Sequence, residues 1–109
     1  MVFVLGEDLT LDVYESPDDV PRAIEALDIE QSALAIYDEH GRRYAVEWVR
    51  PNRHGRLLWV FQWSDNGEYR LRPEGPPDPD AARAAVDRAV GLGRRGPFGS
   101  LAEVRAAIG

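Results

Sequence analysis

Leu57-Leu58-Trp59-Val60-Phe61-Gln62-Trp63-Ser64-Asp65-Asn66-Gly67-Glu68-Tyr69-Arg70-Leu71-Arg72 reads as two strands and the turn between them. Leu57, Trp59, Phe61 and Trp63 fall on one side and Leu58, Val60 and Gln62 on the other, the two-residue period of a strand. Asp65-Asn66-Gly67 predicts a hairpin, because Asn-Gly accepts the positive φ of a tight turn. Residues 68–72 then return with Tyr69 and Leu71 toward the core. Upstream, residues 43–50 alternate with Tyr44, Val46 and Trp48 on one face, and Pro51-Asn52-Arg53-His54-Gly55 turns the chain again. Consecutive strands joined by short turns predict an antiparallel β-meander.

Outward from this middle, residues 33–37 form a further apolar run, closed by the turn Asp38-Glu39-His40-Gly41. At the start of the chain Phe3, Leu5, Leu9, Leu11 and Val13 alternate around Gly6-Glu7-Asp8, which predicts a first strand pair or one bulged strand. Ser16-Pro17-Asp18-Asp19 is a helix start, with Ser16 as cap, Pro17 at the first helical position and two aspartates complementing the dipole. Val20, Ile24 and Leu27 continue it as one stripe that closes near Asp28. Pro73 to Pro79 is too rich in proline for helix or interior strand and predicts a loop. Asp80 then caps a helix over residues 81–90, residues 91–99 form a flexible connection, and Ser100 with Glu103 makes a capping box for a last short helix. At 109 residues with no repeat, the expectation is one α+β domain spanning 1–109: an antiparallel sheet with helices packed mainly on one face.

Charge is segregated along the chain. Residues 1–39 carry eleven carboxylates and one base, Arg22; residues 40–109 carry eight carboxylates and twelve arginines, for a net charge of −6. An acidic surface facing a basic partner follows from the first part, and net acidity argues against general nucleic-acid binding. All thirteen bases are arginine, the mark of a GC-rich coding sequence more than of a need for guanidinium groups. With no cysteine, disulfides and thiolate chemistry are excluded. The apolar start Met-Val-Phe-Val-Leu-Gly is too short for a membrane span and lacks a preceding base, so the expectation is a cytoplasmic protein without membrane association.

Catalytic signatures are weak. Gly91-Leu92-Gly93-Arg94-Arg95-Gly96 matches the glycine spacing of a dinucleotide-binding turn, but that motif needs a strand before it, and here a helix precedes; the glycines read as a helix stop and a loose connection. His40 and His54 lie in turns without converging partners, and no helix sets histidine and carboxylate four apart. Ser16 and Ser100 serve as caps, and Ser32 and Ser64 lack a nucleophile-elbow context. The pairs Glu7/Asp8 and Asp18/Asp19 read as exposed, not as an acid–base dyad. No cofactor or metal is expected. The row Trp48, Trp59, Phe61 and Trp63 reads as core for Trp59 and Phe61, leaving Trp48 and Trp63 exposed near strand ends. With Arg50 and Arg70 they form an alternative site, a stacking surface for a small ligand or single-stranded nucleic acid.

The segments Tyr14-Glu15-Ser16-Pro17-Asp18-Asp19, Ala23-Ile24-Glu25-Ala26-Leu27-Asp28-Ile29-Glu30 and Tyr37-Asp38-Glu39-His40-Gly41-Arg42-Arg43 resemble small actinobacterial proteins of bacterial toxin systems. Such proteins are read as immunity proteins that bind and block a cognate toxin. The resemblance covers about the first 45 residues and implies an inhibitory complex with no catalytic residues of its own. The expected function is a non-enzymatic, acidic protein-binding module that occludes a basic, nuclease-like active site. Its expected partner-binding residues are Asp18, Asp19, Glu25, Asp28, Glu30, Asp38 and Glu39, with Tyr14 and Tyr37 as aromatic anchors. Oligomeric state is left open by the sequence.

Overall fold

In the computed structural model the description covers residues 1–51, 53–57, 61–65 and 67–109, with 53–57 and 61–65 described by their backbone alone. Strands β1 (Val2–Gly6) and β2 (Thr10–Tyr14) form the first hairpin, pairing Val2 with Tyr14 through Leu5 with Leu11. A 3-10 turn (Pro17–Asp19), α1 (Val20–Ala23) and α2 (Ala26–Ser32) follow, and α2 runs directly into β3 (Ala33–Asp38). Then come β4 (Arg43–Arg50), β5 (Arg53–Leu57), β6 (Phe61–Asp65), β7 (Glu68–Glu74), α3 (Pro79–Arg88), β8 (Gly91–Leu92) and α4 (Leu101–Ala107). Six strands form one sheet in the order β7-β4-β3-β1-β2-β8, antiparallel except for the β2–β8 pair. The α+β class read from the sequence is the observed one.

β1 is the central strand, and both of its faces are buried, which explains its unbroken Val-Phe-Val-Leu sequence. Phe3 and Leu5, with Leu11 and Val13 of β2, pack under Ala82, Ala85 and Val86 of α3 and Val104 of α4. Val2 and Val4 face the other way, with Tyr14 and Ile36, against Val20, Ala26 and Ile29 of the shorter helices and Tyr69 of β7. The longest helix therefore covers one face, and a thinner helical layer covers the other.

β4 pairs with β7, from Arg43 opposite Glu74 to Trp48 opposite Tyr69, with a bulge before Arg50 meets Glu68. Beyond the bulge, β5 pairs with β6, from Arg53 opposite Asp65 to Leu57 opposite Phe61. The two pairs belong to separate sheets, Arg43–Arg50 with Glu68–Glu74 and Arg53–Leu57 with Phe61–Asp65. Asp65, before the expected Asn-Gly turn, pairs with Arg53, and Glu68, after it, pairs with Arg50. The turn expected over residues 51–55 and the single strand expected over 57–63 are corrected: Arg53–Leu57 is a strand, and Leu57 and Phe61 lie opposite each other in two strands. Asn66 itself, Trp59, and the side chains of Phe61, Trp63 and His54 lie outside the described residues.

Three further expectations change. The single helix after Ser16 is broken in three: Ser16 makes no side-chain cap bond, and Ile24 is extended at φ −114° and ψ 119°. The break sits where the Tyr69 hydroxyl donates to the Ile24 carbonyl at 2.7 Å, with the Val20 carbonyl at 3.3 Å, ending α1 from outside. α3 starts two residues earlier than expected, with Pro79 at its first turn and Asp78, not Asp80, as cap; the Asp78 carboxylate accepts the Ala81 N–H at 3.1 Å. Residues 91–94 are pinned to β2: Gly93 N–H donates to the Leu11 carbonyl at 3.0 Å, and Val13 N–H to the Arg94 carbonyl at 2.8 Å.

Candidate functional site

The thinner helical layer carries Asp18, Asp19, Glu25, Asp28 and Glu30. Ala26 and Ile29 turn the inner side of α2 toward the sheet, so Asp28 and Glu30 are exposed, as are Glu25 just before it and Asp18 in the 3-10 turn; Asp19 is partly buried. The turn joining β1 to β2 adds exposed Glu7 and Asp8 beside α2, tied there by a bond from Glu7 N–H to the Ser32 carbonyl at 2.7 Å.

Between this turn and α2 lies a cavity of about 500 Å³. Its floor is apolar, with Val4, Ile24 and Ile29, and its rim carries Glu7, Asp8, Asp12 and Asp28. Two rim carboxylates are oriented by backbone donors: Asp12 Oδ1 accepts the Arg94 N–H at 2.6 Å, and Asp8 Oδ1 accepts the Thr10 N–H at 3.0 Å. The aspartate on β2 explains the nearby glycine as well, because a Cβ on Gly93 would sit 2.3 Å from Asp12 Oδ1. The glycine-spaced segment thus serves close approach of two strands. Its arginines are engaged locally: Arg94 lies 4.9 Å over the Tyr14 ring, and Arg95 donates to the Gly99 carbonyl at 2.9 Å.

Four residues expected to bind a partner have structural roles within the fold. Tyr14 is 5% exposed, and its hydroxyl is pushed above the ordinary tyrosine pKa by burial and then by Asp12, with Arg94 opposing. Tyr37 is half-buried against the α3–α4 core. Asp38 organises the β3–β4 turn, accepting from the N–H groups of His40 and Arg42, each at 2.9 Å, and from the Tyr44 hydroxyl at 3.3 Å. Burial, and then Asp38, raises the Tyr44 pKa. Glu39 pairs with the amino group of Met1 at 2.9 Å. Asp18, Asp19, Glu25, Asp28 and Glu30 remain together on one layer. Asp12 and the β1–β2 turn are what sequence reasoning omitted from the site, although Glu7 and Asp8 stood out as a pair; the register that brings the turn to α2 is a tertiary property.

Of the alternative site, Trp48, Arg50 and Arg70 are among the described side chains and Trp63 is not. Trp48 is 38% exposed and packs edge-on against Tyr69, with ring centroids 5.9 Å apart. Arg70 lies on the opposite face of the β4–β7 ribbon, paired with Glu47, whose carboxyl this hydrogen bond holds below the usual range. Arg50 lies 3.6 Å from Glu68. Among the described residues no group of three His, Cys, Asp or Glu side chains could hold a metal ion, and no helix is long and apolar enough to cross a membrane. No protein-family model, curated protein or solved structure matches the chain.

Proposed function

We propose that this protein is a non-enzymatic, cytoplasmic binding module that presents an acidic face to a basic protein and blocks it, in the manner of an immunity protein against a nuclease-like toxin. The observation that carries this reading is the placement of Asp18, Asp19, Glu25 and Asp28 on one helical layer, joined by Glu7 and Asp8 from the adjoining turn. Carboxylates gathered on one side focus a negative potential, which speeds encounter with a cationic active-site rim and disfavours acidic competitors. The resemblance of the first 45 residues to toxin-system proteins points the same way. Against the ligand-binding alternative stand the arginines themselves, since Arg70 and Arg50 already face Glu47 and Glu68.

The test is capture of the neighbouring gene's product, followed by assay of that product's activity. Association is expected to be inhibitory and to weaken between low and ~0.5 M salt as the charges are screened. Replacing Asp18, Asp19 and Glu25 together by Lys is expected to slow association at low salt by about tenfold or more, with an unchanged circular dichroism spectrum. Binding that ignores both salt and the triple replacement would overturn the electrostatic account.

A further inference from the structure

The cavity between the β1–β2 turn and α2 has two kinds of wall, and they ask for two kinds of ligand surface. Val4, Ile24 and Ile29 offer a hydrocarbon floor, while Asp8, Asp12 and Asp28 bring negative charge to the rim. Its volume, about 500 Å³, lies within the ~300–1,000 Å³ range of sites that enclose small molecules or large side chains. An apolar floor under a carboxylate rim matches a cation carried on a hydrocarbon stem. A bare metal ion fits poorly, because the carboxylates do not converge as a three-ligand set.

Deepening the reading under Proposed function, on which it rests, we infer that this cavity is a socket for one arginine side chain of the basic partner. The stem lies on Val4, Ile24 and Ile29 and the guanidinium reaches the rim. Guanidinium is favoured over ammonium because its planar fork of donors can serve several acceptors at once and it is more weakly hydrated. The rim is organised in advance. Asp12 and Asp8 each have one oxygen fixed by a backbone N–H, from Arg94 and Thr10, which orients the carboxylate and leaves its other oxygen for a ligand. Asp28 is exposed at the same rim. The floor contributes as well, since each methylene buried on it strengthens binding about fourfold.

The test uses the intact, isotope-labelled protein and a small probe, N-acetyl-arginine methylamide, followed by amide chemical shifts. Saturable shifts are expected at Asp8, Thr10, Asp28 and Ile29. N-acetyl-citrulline methylamide, of the same shape without the charge, is expected to bind at least about tenfold more weakly. Asp28→Asn is expected to weaken the arginine probe by about tenfold while leaving shifts elsewhere unchanged, which keeps a folding defect distinguishable. Ser32→Phe, which places a ring at the cavity wall, is expected to abolish the shifts. No saturable shift with the arginine probe, or equal binding of the citrulline probe, overturns the socket. If the socket fails while the protein still captures a basic partner in a salt-dependent way, the acidic-face reading stands alone. If the probe binds but no basic partner is captured, it is the assignment of the socket to a partner's side chain that falls.

Discussion

Gly41 shows how far a single position can be constrained by a neighbour distant in sequence. Its φ is +81°, and a Cβ there would lie 2.5 Å from the backbone of Pro79. Left-handed strain and overlap act together, so Gly41→Ala is expected to cost about 2–5 kcal/mol, read as a fall in Tm of at least about 10 °C. Tyr69 is the second such position. Its hydroxyl serves the Ile24 and Val20 carbonyls, and removing it in Tyr69→Phe is expected to cost about 1–2 kcal/mol in urea unfolding at neutral pH. Burial, and then nearby Tyr14 and Asp28, pushes its pKa well above the ordinary value of 10.0. The folded chain then keeps a proton that the unfolded chain releases near pH 10, so this stability is full below pH 10 and lost as pH rises beyond it. Tyr69→Phe should therefore show a shallower loss of stability between pH 9 and pH 11 than the parent protein. Neither role was legible in the sequence, which marked Tyr69 only as core-facing and Gly41 only as a turn residue. Tyr14 misled for the same reason: a tyrosine beside acidic residues reads equally well as an exposed anchor or as a half-polar core residue, and burial decides between them.

Elements were legible where local chemistry decides them. The last helix is capped as its sequence requires, with the Glu103 N–H donating to Ser100 Oγ at 3.2 Å and the Glu103 carboxylate reaching back to the Gly99 N–H. Alternation marked β4, β7 and the start of the chain, as a strand pair or one bulged strand, and a short apolar run marked β3. What failed was pairing, because the two-residue period says which side chains share a face and not which strand lies alongside. The helix before β3 failed for a related reason: its stripe of Val20, Ile24 and Leu27 is sound, but a hydroxyl from β7 ends α1 at Ile24. At α3 the competing caps can be separated by experiment. Asp78→Ala is expected to cost about 1 kcal/mol, a fall of ~4–8 °C in Tm, and Asp78→Asn to restore most of it. Asp80→Ala removes only an exposed pair with Arg83 and should cost clearly less.

Across the whole molecule, the division of charge was plain in the sequence and survives as geometry, because the acidic first third supplies the turn and helices of one face. Which carboxylates are engaged within the fold was not plain. Asp38 and Glu39 look like the rest of the run, yet they hold a turn and the Met1 amino group. The sheet also joins distant parts of the chain: β8 lies beside β2, and the molecule measures 53 Å along its longest axis. The α3–α4 layer has a consequence for how the chain is made. Phe3, Leu5, Leu11 and Val13 leave the ribosome well before their cover, from Ala82 to Ile108. At ~5–20 residues per second the first hairpin waits roughly 4–20 s with one face bare. Until synthesis reaches the final helix, the nascent chain carries an oily patch that the finished protein hides, and any message cut short before that point releases a chain with the patch exposed.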